Sequence, residues 1–405
     1  MAITLPPILR PNARRSVLDI TEFYGSTSGG VRTYLGHKAA WVAGRPWARQ
    51  AIVVPGARDG VDDEPQHLGG SRRYSLSGPR VPGQPPYRFL LPWPSARAIV
   101  RHERPHIIEL GSPGFAPWIA AAAAQGDIPI VAFFHSNFPR IFNPFPERSG
   151  PLRRVATEAL WKYVKFIDRF AQVTIACSDF AADDLRRAGV DRVVRLPLGV
   201  ELARFDPARR GRRVETRARY GLPQHAPLAA YIGRFANEKE IDVLLDGWAD
   251  AHRRTGAHLA LVGDGPTRAT LEARARDLPW AHMVAFEYDR DRLADLHACL
   301  DIYAAPGPVE TFGLSGLEAL ASGTPVLSVN RGGVAEQVAA SGAGRLYEAG
   351  RPETVGPALE ALFGDDLAAL GRLARSHAER DHSWDSVFTR LFALYDRVVA
   401  NSQRA

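Results

Sequence analysis

Glu310 stands eight positions before Glu318 in the stretch APGPVETFGLSGLEALASGTPV, which runs from Ala305 to Val326. Phe312, Gly313, Leu314 and Ser315 lie between the two acids, and Leu314 to Ala321 is a helix-forming run. The first turn of a helix offers free N–H groups and the positive end of its dipole, and Gly313 and Gly316 would let a ligand come close to the backbone. Such a place suits a diphosphate. Glu318 lies inside the helix, about 7 Å further on at ~1.5 Å per residue, so it would reach past the phosphates to a neighbouring pair of hydroxyls. The plain alternative is a capped core helix carrying two solvated glutamates.

The flanking residues favour the ligand. Ile302, Tyr303 and Ala304 read as a buried strand, and Pro325-Val326-Leu327 as the next, so the loop opens at the C-terminal end of a parallel strand, where open α/β sheets bind ligands. A second such place follows the strand Leu228 to Ile232. Arg234 leaves its tip and Lys239 lies five residues on, beside a helix beginning near Ile241. Two cations there would clamp a diphosphate and stabilise charge on a leaving group; a solvated Arg and Lys is the alternative. Lysine usage decides between them. The chain has four lysines, Lys38, Lys162, Lys165 and Lys239, among 51 basic residues, and Lys239 alone falls in the second half. A compact ammonium is not interchangeable with a guanidinium fork, so this position calls for a point charge. Asp289-Arg290-Asp291 has the form of a metal-binding D-x-D, but acids at a helix N-terminus explain it. With two cations already facing the diphosphate, no metal and no other cofactor is expected.

These residues need strands and helices to hold them. The 405 residues, 45% hydrophobic and 23% charged, suffice for two globular α/β domains. In the first, strand Val17–Ile20 leads through a Gly/Ser-rich turn into a helix from about Val31, the pattern of a phosphate- or sugar-binding βα loop. No Gly-Lys-Ser/Thr and no G-x-G-x-x-G is present there. Further strand signals are Gln50–Pro55 and Ile107–Leu110, while 56–77 reads as a surface loop or irregular hairpin. Strand Ile128–Phe134 delivers His135 at its C-terminal tip. Beyond it, Phe138, Ile141, Phe142 and Phe145 alternate with Arg140, Arg148, Arg153 and Arg154 before a helix near Leu152. That mixture suits an anionic membrane surface or an acceptor, or else its phenylalanines fold back onto the core. Strand Gln172–Ala176 precedes a helix capped near Ser178. Arg-rich 208–219 reads as a surface linker and short helix. In the last helix Trp384, Val387, Leu391, Leu394, Tyr395 and Val398 recur at helical spacing.

No run of 18 apolar residues occurs, and prolines interrupt the N-terminus where a signal peptide needs an apolar core, so a cytoplasmic protein is expected. Cys177 and Cys299 are too few for a disulfide framework. Residues 1–200 carry 26 Lys+Arg against 16 Asp+Glu, and residues 201–405 carry 25 against 28. The basic surplus in the first half suggests a nucleic acid, an anionic membrane or an acidic acceptor, with general solubility as the alternative.

The segment around Glu310 and Glu318, with G-D-G-P at Gly263 and NRGGVAEQV after it, resembles glycosyltransferase family 4, retaining enzymes that take a sugar from a nucleotide-sugar. The resemblance covers nearly the whole chain, strongest over 226–340 and loosest over 56–100. It implies the GT-B fold: two Rossmann-like domains with parallel sheets facing a central cleft, residues 1–200 binding the acceptor and 201–383 the donor, with a C-terminal helix, 384–405, crossing back to the first domain. It implies that Glu310 contacts the donor sugar and Glu318 the ribose, while Arg234, Lys239 and the backbone of Phe312, Gly313, Leu314 and Ser315 hold the diphosphate. Gly263 would line the nucleotide pocket, and Phe286 and Glu287 would contact the base. Gly29 and Gly30 would approach the donor, and His135 would lie beside its sugar. Transfer would proceed by front-face attack, the acceptor hydroxyl losing its proton to the departing phosphate. Within the family the chain looks like bacterial GDP-mannose-dependent α-mannosyltransferases acting on glycolipids. On that reading the partners are a nucleotide-sugar, a glycolipid or glycan acceptor and an anionic membrane on the inner face, with no nucleic acid. A UDP-glucose or UDP-sulfoquinovose donor, a nucleotide-sugar 2-epimerase and a non-catalytic nucleotide-sugar-binding protein stay open.

Overall fold

The computed structural model describes residues 5–25, 29–62, 71–81, 87–91, 93–124, 127–141 and 150–404. Phe142, Phe145 and Arg148, named above for acceptor or membrane contact, lie outside these. The chain divides into two compact units: residues 1–177, 181–197 and 384–405 form one, and 178–180 with 198–383 the other.

The first unit is built on an eight-stranded sheet in the order β3-β4-β2-β1-β5-β6-β7-β8. Its strands are β1 (Arg15–Ile20), β2 (Ala48–Gly56), β3 (Gly60–Asp62), β4 (Arg72–Ser77), β5 (Ile107–Leu110), β6 (Ile130–Phe134), β7 (Val173–Ala176) and β8 (Val193–Arg195). Every neighbouring pair is parallel except β3 with β4. Parallel strands need crossovers, and helices such as Gly30–Ala43, Ala116–Ala124 and Gly150–Asp168 supply them. Of the two readings of 56–77, the irregular hairpin holds, since β3 and β4 pair antiparallel, and the surface loop does not, since β4 pairs with β2 inside the sheet. The polar sequence RRYSLS hides the strand, yet Tyr74 and Leu76 alternate into the core.

The last helix, Trp384–Ser402, belongs to this first unit. All six of its periodic residues are buried, together with Phe388 and Phe392, and Phe392 packs 4.7 Å from the ring of Trp41. Beneath them lies a polar network with no access to water. Lys38 Nζ donates to Asp19 Oδ1 and to the Tyr395 hydroxyl, both at 2.7 Å, and stands 3.3 Å from Glu109 Oε2. Tyr34 and Tyr395 both donate to Glu109, and Gln50 donates to the second oxygen of Asp19. Burial raises the Glu109 carboxyl to about 7, against the pull of Lys38.

The second unit carries a six-stranded parallel sheet, order β11-β10-β9-β12-β13-β14. Its strands are β9 (Leu228–Arg234), β10 (His258–Asp264), β11 (Ala281–Val284), β12 (Ile302–Ala305), β13 (Val326–Val329) and β14 (Gly344–Tyr347). The chain builds outward from β9 to β11, then returns to place β12 on the other side of β9. This reversal is a topological switch point, and the loops beyond the C-terminal ends of β9 and β12 are the place such a sheet gives to a ligand. Residues 208–219 hold the expected short helix, Arg213–Arg219, and most of them are exposed. What the linker reading missed is the anchoring: Arg217 is fully buried and donates to the carbonyls of Cys299, Pro223 and Ala226 and to Asp301, while Arg209 and Arg213 pair with Asp295 and Asp301. Arg219, in contrast, pairs with Glu215 of its own helix.

Candidate functional site

In the second unit the switch point gathers Arg234, Lys239 and Glu310. Arg234 closes β9, and its guanidinium is held by Glu238, four residues along. Lys239 ends the short turn Asn237–Lys239, and its ammonium meets the Glu310 carboxylate, 71 positions away in sequence. Both partners keep part of their surface in solvent. An anion arriving here would meet a lysine already placed and an arginine within one turn of it.

Lys239 is followed by Glu240, whose backbone adopts the left-handed conformation, φ 46° and ψ 41°, at the start of helix Ile241–Thr255. A side chain in that region costs roughly 1–2 kcal/mol. Glu240→Gly is therefore expected to stabilise the unit by about 1 kcal/mol, read as a higher urea midpoint; a lower midpoint would show that the carboxylate outweighs the strain.

The helix Leu314–Ala321 begins at Gly313, which has φ 85° and no side-chain cap. The first-turn amides thus have no capping side chain ahead of them. A Cβ on Gly313 would lie 2.1 Å from Val334 Cγ2, and one on Gly316 would lie 3.1 Å from Val334 Cγ1. Both glycines seat the loop against helix Gly333–Ser341, a packing reason for them beside the reading as openings for a ligand. Phe312 is buried, 5.8 Å from the His382 ring, and its carbonyl accepts a 2.6 Å bond from Gln337 Nε2. Leu314 and Ser315 are half-buried, and Ser315 Oγ lies 3.5 Å from His297 Nε2.

Glu318 sits in the same helix, nearly buried. Its Oε1 accepts from Arg290 at 2.7 Å, and its Oε2 lies 3.6 Å from His297. Burial works to raise its pKa, but Arg290 and His297 outweigh burial and hold the carboxyl below the usual range. Glu318 is accordingly ionised, an acceptor for hydroxyl donors. Asp289 accepts the amides of Asp291 and Arg292 as the cap of helix Arg290–Cys299, and Asp291 pairs with Arg209, so the D-R-D triplet is a helix start.

Gly263 closes β10 opposite Gly233 of β9, where a Cβ would lie 1.9 Å from the Gly233 carbonyl oxygen. Phe286 and Glu287 follow β11, two strands from β9. The Phe286 ring meets Tyr288 edge-on at 4.7 Å, and Glu287 accepts from the Tyr220 hydroxyl at 2.5 Å. The two follow the edge strand of the sheet, away from the β9/β12 switch point.

Gly29, Gly30 and His135 belong to the first unit. Gly29 precedes helix Gly30–Ala43 with an ordinary φ of −72°, and nothing lies within 4 Å of where its Cβ would be. His135 follows β6, its ring stacked 4.0 Å from Phe133 and tilted 4.9 Å from Tyr34. Burial, with Lys38 nearby, depresses its pKa to about 3, so the imidazole is neutral at physiological pH. The sign follows from linkage: an unfolded histidine takes up a proton near pH 6.5 while the folded one does not, so stability is full above 6.5 and lost as pH falls toward 3. His135→Asn is expected to flatten the acid limb of urea midpoint against pH between 6.5 and 4. An unchanged slope would show that His135 is not the group responsible.

Several partners escaped the sequence. Glu238 is four residues from Arg234, but Arg234 ends a strand and the two share no helix, so the spacing carried no signal. Arg290 stood inside the D-R-D triplet, but His297 and Gln337 carried no signal. Glu336 accepts the backbone N–H groups of Asp179 and Phe180, and Ser178 Oγ donates to the Thr311 carbonyl at 2.5 Å, contacts no local spacing announces.

The second unit thus sets Arg234, Lys239 and Glu310 in the loops at the switch point of a parallel sheet. Residues 28–204 match the model of glycosyltransferase family 4, and residues 213–377 that of the glycosyl transferases group 1. A GDP-mannose-dependent alpha-mannosyltransferase of Corynebacterium glutamicum is 30% identical over 355 residues, 87% of this chain and 82% of that protein. A GDP-mannose-dependent alpha-(1-6)-phosphatidylinositol dimannoside mannosyltransferase of Mycobacterium tuberculosis is 30% identical over 370 residues, 90% and 91%. The sucrose-phosphate synthase structure from Thermosynechococcus elongatus superposes with a TM-score of 0.75 at 19% identity, covering 96% of this chain and all of that one. The chain belongs to this glycosyltransferase family and has the GT-B fold.

Proposed function

We propose that the protein is a retaining α-mannosyltransferase that moves mannose from GDP-mannose to a glycolipid or glycan acceptor. The observation that carries it is the meeting of Lys239 and Glu310 beside Arg234 at the β9/β12 switch point, next to the uncapped start of helix Leu314–Ala321. The donor diphosphate would displace the carboxylates from the two cations, and Glu310, released from Lys239, would face the sugar. Glu318, ionised, would accept from the ribose hydroxyls. The clamp would stabilise the departing GDP while its phosphate oxygen takes the acceptor proton. The choice of GDP-mannose rests on the relatives' donor.

Because two protein cations meet the diphosphate charge, EDTA is expected to leave turnover unchanged. The deciding experiment is calorimetric titration with GDP, UDP, ADP, GDP-mannose and UDP-glucose in EDTA. Preference for GDP and GDP-mannose supports the proposal; preference for UDP moves the donor to a glucose-type sugar. Acceptor-independent release of nucleotide with an isomerised sugar would identify an epimerase, and binding without turnover a non-catalytic protein.

The acceptor membrane would be met peripherally. No helix among the described residues is long and apolar enough to cross a bilayer. Helix Gly150–Asp168 instead exposes Leu152 (59%) and Val155 (64%) beside Arg153, Arg154 and Lys162, the composition of a helix that lies on an anionic surface. Sedimentation with vesicles containing an anionic lipid, and none with phosphatidylcholine alone, is the expected result.

A further inference from the structure

The first unit holds a small, half-open apolar pocket under the same helix, lined by Leu110, Ala132, Phe134, Val164, Ile167 and Leu185 among others, with His135, Ser136, Gly111 and Asp168 also in its wall. Its origin is visible in the packing. Of the described residues of helix Gly150–Asp168, Val164 alone is buried, and the core beneath it is small, three of its six buried members being alanines. The helix covers this part of the sheet without filling it.

The lining selects its occupant. Ser112 Oγ is committed to Glu22 at 2.9 Å, and Thr174 Oγ1 to Asp168 at 2.6 Å. The His135 ring is stacked on Phe133 and neutral. The walls therefore present mostly carbon, and a phosphate placed inside would lose its hydration with Asp168 as a like charge in the lining. A flexible alkyl chain gives up no hydrogen bonds by entering, and its burial outweighs the cost of ordering it. The pocket is continuous with His135 at the tip of β6, the residue assigned to the sugar side of the reaction, and the helix that roofs it carries exposed Leu152 and Val155 in its first turns.

We infer that this pocket takes a linear alkyl chain, the apolar tail of the acceptor lipid, and so selects acceptors by chain length. The inference rests on the glycolipid-acceptor reading above. The pocket would strip the end of the tail from the bilayer while the polar headgroup stays at the strand tips near His135.

The test is calorimetric titration of the full chain with n-alkyl mannosides of four to twelve carbons, each below its micelle concentration, alongside GDP. If the pocket takes the tail, Kd falls about fourfold for each added methylene, the equivalent of ~0.8 kcal/mol per buried CH₂, and levels off once the pocket is full. Ala132→Phe on the sheet wall and Val164→Phe on the helix wall are each expected to flatten the series at a shorter chain, with thermal melting used to confirm that each variant is folded. A Kd independent of chain length overturns the inference, as does an unshifted plateau in both folded variants. The GDP arm separates the two readings: chain-length dependence without GDP binding keeps the pocket and removes the donor assignment, and GDP binding without chain-length dependence does the reverse.

Discussion

Replacing Lys239 with alanine is expected to lower turnover about 100-fold at saturating donor, the usual effect of removing one contact to charge that develops in the transition state. The expectation rests on where the ammonium is held. Lys239 follows β9 by a single short turn and meets Glu310 from the loop after β12, so its position is fixed from two strands at once. Removing it leaves Glu310 without its cation and the leaving group with Arg234 alone. Lys239→Arg is not expected to restore activity, because a planar fork cannot occupy the place of a compact ammonium without displacing its neighbours. Glu238→Gln offers the opposite test: freed from its acid, Arg234 should bind GDP more tightly. Unchanged kcat in Lys239→Ala would remove Lys239 from the reaction.

Lys38→Met is expected to cost the largest share of stability, about 3–5 kcal/mol, as when one partner of a buried ion pair is deleted. Asp19 and Glu109 would face each other inside the first unit with no counter-charge, and no water reaches them. Tyr395→Phe should cost less, about 1–3 kcal/mol, since it removes a hydroxyl that links Lys38 to Glu109 while leaving the charges paired. The triple change Lys38→Met, Asp19→Asn, Glu109→Gln should recover much of the Lys38→Met loss. Urea unfolding followed by tryptophan fluorescence reads all three. If Lys38→Met unfolds at the wild-type midpoint, the network is not an anchor.

The central loop was legible because its chemistry is local. The spacing from Glu310 to Glu318, the strand before it and the helix after it all lie within one short stretch, and the structure puts Glu318 in that helix. Arg234 and Lys239 were legible for a similar reason, sharpened by the scarcity of lysine. The same scarcity could have flagged Lys38, which lies in a helix read for its glycines instead. What the sequence hid was the set of counter-charges. Glu238, Arg290 and Tyr220 pair with Arg234, Glu318 and Glu287, yet acids and arginines are common along the chain and nothing local marks these. The glycines carry a second role that no local pattern shows: a Cβ on Gly313 or Gly316 would press on Val334, on the next helix. Polar strand β4 was lost because its alternation is carried by only Tyr74 and Leu76 between hydrophilic neighbours.

Tyr395 closes the Lys38 network from the far end of the chain, and this has a consequence for biosynthesis. When the ribosome has made the eight strands of the first unit, Lys38, Asp19 and Glu109 have all been translated, but the helix that seals them is still some two hundred residues away. The unit formed second in the sequence can then finish folding before the first, reversing the usual order of N-terminal domain first. During that interval the apolar seat of the last helix, around Tyr34 and Trp41, stands open to chaperones and to other nascent chains. Termination shortly before Tyr395 would leave a chain with its second unit complete and its first unit unable to close.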